Sequence, residues 1–426
     1  MTDAEGTSRP VVKLRPGKGR RLAAGAPWIY ADEIAMDRRT KALAPGTLAR
    51  LQEGDHVLGL VAVNPESQIA GRLLDRDADA AVDRAWFRDR LIGALRLRRM
   101  VLAGKDAREN SAEDPAAFCR LVHAEGDGLP GLVIDRFGTA VVVQPNAAWV
   151  EGRLEALIGG LDDAFDGMAA GPVETIVINA QSRVRRLEGL DQRLEVVRGV
   201  VEGPLAVPMN GACYLADLTG GQKTGLFYDQ RPNHRLSAGI GAAMAAEGLP
   251  ATALDVFAHV GGFGLAMLAA SPALSVTAVD SSEPALALAA AGAERMGVAA
   301  RYETRRADAF DAMAAAHTGG ERYGMVVCDP PAFAPHKAAL EAGLRAYEKT
   351  ARLAARLVAP GGWLVLCSCS GAVSAEALRE ASAKGMRAAG RGGALVHVGR
   401  AGPDHPQHMA LPETGYLKAL FFRLDG

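Results

Sequence analysis

The chain has 426 residues, is 49% hydrophobic and carries a formal net charge of −1. That length exceeds one ordinary core and predicts two or three domains, and no apolar run reaches the ~18 residues of a membrane helix, so a spanning protein is excluded. Five cysteines without framework spacing exclude a disulfide scaffold and point to a reducing compartment; the polar N-terminus reads as neither signal nor transit peptide, so a cytoplasmic location is expected.

Residues 1–8 read as disordered. Residues 9–83 carry short alternating runs (11–14, 46–51, 56–64, 69–74) broken by turn residues, the spacing of a small β-barrel. Within residues 9–50, ten Lys/Arg stand against three acids, a net of +7, which reads as a surface for an anionic partner. Residues 84–117 read as a helix (84–103) followed by a polar linker (104–117). In 118–232, strands at 118–123, 131–137, 140–144, 175–179 and 194–197 surround one helix at 149–161, an α+β pattern. In 233–426 helices and strands alternate, which predicts a doubly wound, mostly parallel sheet whose ligands sit at the strands' carboxyl ends. The fold class expected is multidomain α/β.

Asp255 ends a strand that runs through Phe257 into His259-Val260-Gly261-Gly262-Phe263-Gly264. The glycines admit a tight turn and close backbone approach to a ligand. A dinucleotide would need a third glycine where Met267 stands. A strand-end acid before the glycines suits S-adenosylmethionine, whose amino-acid end is cationic. Asp280 closes the next strand, where it can accept from both ribose hydroxyls, and Asp308 follows the third, within reach of an adenine amino group. Each acid alone would read as a helix cap.

Asp329-Pro330-Pro331 closes the fourth strand, the prolines fixing the turn, and Phe333 could stack on a flipped base. About forty residues on stands Cys367-Ser368-Cys369-Ser370. Cytosine C5 becomes nucleophilic when a thiolate adds to C6 and an acid protonates N3; Cys369 and Asp329 supply those groups. Cys367 shares the strand face of Cys369 and competes as nucleophile, although its deeper position favours a core role. Cys119, Cys213 and Cys328 are assigned to the core. No second Cys/His cluster accompanies the C-x-C pair, so no metal is expected.

These motifs, with Pro16-Gly17-Lys18-Gly19-Arg20-Arg21, Glu125-Gly126-Asp127-Gly128-Leu129-Pro130-Gly131, the block from Gly221 to Arg231 and Tyr416-Leu417-Lys418, resemble the bacterial 23S rRNA cytosine-C5 methyltransferases with an N-terminal PUA domain. The resemblance implies a PUA-like RNA-binding barrel at 9–83, a central α+β domain and a C-terminal Rossmann-like class I methyltransferase domain. It implies S-adenosylmethionine as cofactor, Cys369 as nucleophile, and Lys223 and Tyr228 beside the cofactor in a hairpin preceding its domain. Asp229, Arg231, Lys18, Arg20 and Arg21 are then expected on the RNA. Ribosomal RNA is the expected partner, with no membrane; a homodimer is allowed. Methyl transfer to a base nitrogen, a non-catalytic RNA-binding assembly factor and a nicotinamide oxidoreductase are the competing readings.

Overall fold

The computed structural model describes residues 9–103, 114–220 and 225–425; the N-terminal tail, most of the linker and Lys223 lie outside the described residues. The chain divides into two compact units, one of residues 1–101, 119–201 and 404–412, the other of 102–118, 202–403 and 413–426.

The first unit opens with strands β1 (Val11–Lys13), β2 (Trp28–Ile29), β3 (Thr47–Glu53), β4 (His56–Val63) and β5 (Gly71–Asp75), in the sheet order β1-β3-β4-β5-β2. Alternation builds its core: Val12 is buried between exposed Val11 and Lys13, and packs with Leu14, Ile29, Ile34, Leu51 and Val61. Helix Arg84–Leu102 follows. A second sheet then forms from β6 (Phe118–His123), β7 (Leu132–Phe137), β8 (Ala140–Pro145), β9 (Thr175–Ala180) and β10 (Arg193–Arg198), ordered β10-β9-β8-β7-β6. The single helix expected over 149–161 is two, Ala148–Glu151 and Leu154–Gly167. Gly152 caps the first, a residue that supports helix poorly.

The second unit starts with a hairpin of β11 (Leu205–Met209) and β12 (Ala212–Ala216), then helix Arg231–Ala246. The hairpin and the residues up to 232, expected with the central domain, cluster with the C-terminal sheet. The helix also begins seven residues earlier than the apolar pattern suggests (238), because its first turn is polar yet buried (Arg231, Asn233, His234) and opens with a proline whose missing N–H is harmless there. The sheet comprises β13 (Thr252–Val256), β14 (Ser275–Asp280), β15 (Tyr302–Arg306), β16 (Tyr323–Cys328), β17 (Val358–Ser368), β18 (Gly393–Gly399) and β19 (Lys418–Leu424), in the order β15-β14-β13-β16-β17-β19-β18. β13 through β17 run parallel, and β19 is antiparallel to both neighbours. Strand order reverses at β13, so a crevice opens beyond the carboxyl ends of β13, β14 and β16. Among the described residues no helix is long and apolar enough to cross a membrane.

Candidate functional site

The loop that leaves β13 is held in an unusual backbone. Phe257 (φ 63°) and His259 (φ 49°) both occupy the left-handed region without being glycine, a cost that folds retain mostly where a ligand is clamped. Gly261 (φ 82°) leads into helix Gly262–Ala270. A Cβ at Gly262 would lie 2.6 Å from the ring of buried His234, so this loop and the helix Arg231–Ala246 interlock through a missing side chain. Asp255 is 1% exposed. Its Oδ2 accepts from the Gly264 N–H at 2.9 Å, while its Oδ1 is buried with no hydrogen-bond partner. Burial pushes this carboxyl up to about 7, the Gly264 N–H opposes that, and Asp280 adds to it. An orphaned carboxylate oxygen beneath a strained glycine loop fits a cationic ligand group.

Asp280 turns both oxygens to the loops. Its Oδ2 accepts from His259 N–H at 2.9 Å and its Oδ1 from Ser282 N–H at 2.8 Å. Each oxygen has a further lone pair, so a diol can still be received. Asp308 is exposed and caps helix Ala309–Thr318, its Oδ1 accepting from Phe310 and Asp311.

The Cys-Ser-Cys-Ser run closes β17. Its register with β16 places Leu366 opposite Cys328, so Cys367 and Asp329 follow on adjoining strands. Cys367 is fully buried, and its thiol is pushed well up by burial and then by Asp329. Cys369 is half-buried, one step beyond the strand end. Ser368 and Ser370 point the other way and are wholly buried. Their hydroxyls meet Tyr347 Oη at 2.8 and 2.9 Å, and Ser370 Oγ also accepts from Ala334 N–H at 3.1 Å. Tyr347 of helix Leu340–Ala355 thus pins both neighbours of Cys369. Sequence reasoning gave it no role, because the link depends on a helix folding back over the strand end. Phe333, expected to stack on a flipped base, is half-buried among Tyr347 (4.9 Å), Phe310 (6.3 Å) and Phe257 (6.3 Å).

The residues expected in a hairpin beside the cofactor need correction. Tyr228 and Asp229 form a short turn after the hairpin, and Arg231 opens the following helix. Arg231 is 3% exposed, donates to the Phe118 carbonyl and lies 5.5 Å over the Tyr228 ring. Its charge is spent inside the unit, not offered to RNA. Asp229 accepts from Tyr416 Oη at 2.6 Å through Oδ2, while its Oδ1 is buried and unpartnered. In the first unit Lys18 and Arg20 are exposed; Lys18 pairs with Asp32 at 3.1 Å, and Arg21 lies 4.6 Å over the Tyr30 ring. Gly19 at the centre of this basic turn faces Glu53, whose carboxylate a Cβ would meet at 2.4 Å.

Residues 12–76 match the PUA-like domain family and residues 239–391 the methyltransferase small domain family. A ribosomal RNA large subunit methyltransferase of Deinococcus radiodurans is 33% identical over 99% of this chain and 100% of its own length. Ribosomal RNA large subunit methyltransferase I of Klebsiella pneumoniae is 32% identical over 97% and 98%. Among solved structures, SMU.776 in complex with SAH superposes with a TM-score of 0.78 at 17% identity, covering 98% of this chain and all of that one. The fold is thereby that of a PUA-like domain joined to a class I methyltransferase.

Proposed function

Since the chain belongs to the ribosomal RNA large subunit methyltransferase family, we propose that it methylates C5 of a cytosine in 23S rRNA through a bond between Cys369 Sγ and C6. The observation that carries this reading is the strand-end pair: a half-buried thiol clamped between two tyrosine-bound serines, with a carboxyl group on the adjoining strand. S-adenosylmethionine, when bound, supplies an electrophilic methyl group on a sulfonium. Asp255 and the loop through Gly261 and Gly262 would hold its amino-acid end, and Asp280 its ribose; Asp255 Oδ1 is the unpartnered atom that fits a cation.

The chain's own groups then have distinct tasks. Cys369 Sγ adds to C6, and Asp329 delivers a proton to N3, leaving an enamine whose C5 takes the methyl group. Water takes the C5 proton, the C–H electron pair forms the C5–C6 double bond and expels the Cys369 thiolate, and N3 returns its proton to Asp329, which restores the ring. Cys367 is unfit for this work, since apolar burial holds its proton. The exposed cations Lys18 and Arg20 of the PUA-like domain suit the RNA backbone.

Incubating the protein with rRNA and S-adenosylmethionine labelled in the methyl group, then digesting to nucleosides, tests the reading. Label in 5-methylcytidine, its loss in Cys369→Ala, and a covalent adduct at Cys369 with 5-fluorocytosine RNA are expected. Label on a base nitrogen would replace it with nitrogen methylation.

A further inference from the structure

Lys418 opens β19 opposite Ser368 in the antiparallel register with β17. The residue is 8% exposed, yet it enters no ion pair among the described residues. Its Nζ donates to the Ser370 carbonyl at 2.8 Å, one residue past Cys369. An ammonium stripped of water is costly to keep unless an anion stands against it. Among the described residues no carboxylate pairs with it.

Among the described residues, a helix and two strand ends bring titratable groups to the Ser-Cys-Ser turn. Helix Leu340–Ala355 brings Tyr347, a phenol kept neutral by burial. The end of β16 brings Asp329, which bears on Cys367. β19 brings Lys418, the cation. Burial draws the Lys418 ammonium down, and the neighbouring Cys369, were its thiol ionised, would oppose that.

We infer that Lys418 is a positioning residue for the nucleophile: its buried ammonium, fixed on the Ser370 carbonyl, is the countercharge that keeps Cys369 as a thiolate before RNA arrives. This rests on Cys369 being the nucleophile, and it adds how the thiol is activated. The thiol proton leaves to water, and Lys418 stays protonated throughout. When Sγ bonds to C6 the thiolate charge passes into the base, so the ammonium is left facing the adduct and favours return of the electron pair to sulfur. The same group thereby serves formation and release.

The test is the pH dependence of Cys369 alkylation by iodoacetamide in the full-length protein, read peptide by peptide by mass spectrometry. In the unaltered protein the midpoint is expected below the ~8.5 of a free cysteine. Lys418→Met should raise it by about one unit or more and slow alkylation at pH 7 about tenfold; Lys418→Arg, which keeps the charge, should restore both. A melting curve of each variant separates loss of fold from loss of charge, because a merely structural lysine would move the melt and leave the midpoint in place. An unshifted midpoint in folded Lys418→Met, or an ordinary midpoint in the unaltered protein, overturns the inference. No RNA or cofactor enters this assay, so its failure leaves the cytosine-C5 reading standing. Methyl transfer by Cys369→Ala would instead remove that reading while a low-titrating thiol remained.

Discussion

The two units differ in how much of their buried charge is paired. In the first, charges are closed off in pairs: Arg98, fully buried, forks onto Asp127; Arg120 forks onto Asp135; Arg185 meets Glu151 and Arg72 meets Glu188. In the second, Asp255 Oδ1, Asp229 Oδ1, Arg231 Nε and His234 Nδ1 are buried without hydrogen-bond partners and Lys418 meets no carboxylate among the described residues, whereas in the first Arg72 Nε is left so beside its ion pair. A closed pair holds a fold in one arrangement, and a buried atom left without a partner carries a desolvation cost. Each reading can be broken by substitution.

The largest effect is expected in the first unit. Asp127→Ala leaves the Arg98 guanidinium buried and uncompensated, which should destabilise by roughly 3–5 kcal/mol. It also removes the acceptor for His123 N–H at 2.6 Å. Chemical denaturation followed by fluorescence measures this, and a loss within error would mean water replaces the carboxylate. Asp255→Asn should do the reverse. Burial already favours the neutral form, so the amide should leave stability at pH 8 unchanged or higher, while S-adenosylmethionine binding weakens at least about tenfold, the scale of a hydrogen bond to charge. Calorimetry and a melt on the same sample test both halves.

Protons sharpen the contrast. Burial raises Asp255 to about 7, so its stabilising contribution is full below ~3.9 and fades as pH rises through 7. His123, in the first unit, is pushed down to about 2 by burial, then by His405. Its contribution is full above ~6.5 and fades as pH falls. His234, in the second unit, is likewise lowered by burial, to about 3, and there opposes Asp255. Between pH 7 and 5 the first unit should therefore lose protection in hydrogen exchange while the second changes little. A cation bound beside Asp255 should displace its proton, about half a proton at pH 7. Titrations in buffers of different ionisation enthalpy count it, and a value of zero would remove Asp255 from the cofactor's cationic end.

The smallest effect concerns the basic turn. Lys18→Ala and Arg20→Ala should each lower the slope of log affinity for rRNA against log salt by about one. An unchanged slope would leave these cations as solvated surface.

Much of this arrangement is legible in residue order. Alternation of apolar side chains marks most of the strands, and strand-helix rhythm predicts the parallel sheet, because those periods follow from backbone geometry. Asp255, Asp280, Asp329 and Cys369 are legible as strand-end groups because the ends of neighbouring strands in a doubly wound sheet share one edge. The opposite fates of Cys367 and Cys369 also follow from their positions in an extended run. Tertiary structure alone decided the rest. It buried Arg231 and Tyr228, which as sequence looked available to ligands, and it gave Asp308 the cap and Phe333 a place in an aromatic wall. It set Tyr347 and Lys418 on either side of the Ser-Cys-Ser turn from 23 and 48 residues away along the chain. Such contacts depend on which faces the packed elements turn toward each other, and burial then fixes whether a charge is solvated, paired or left open for a ligand.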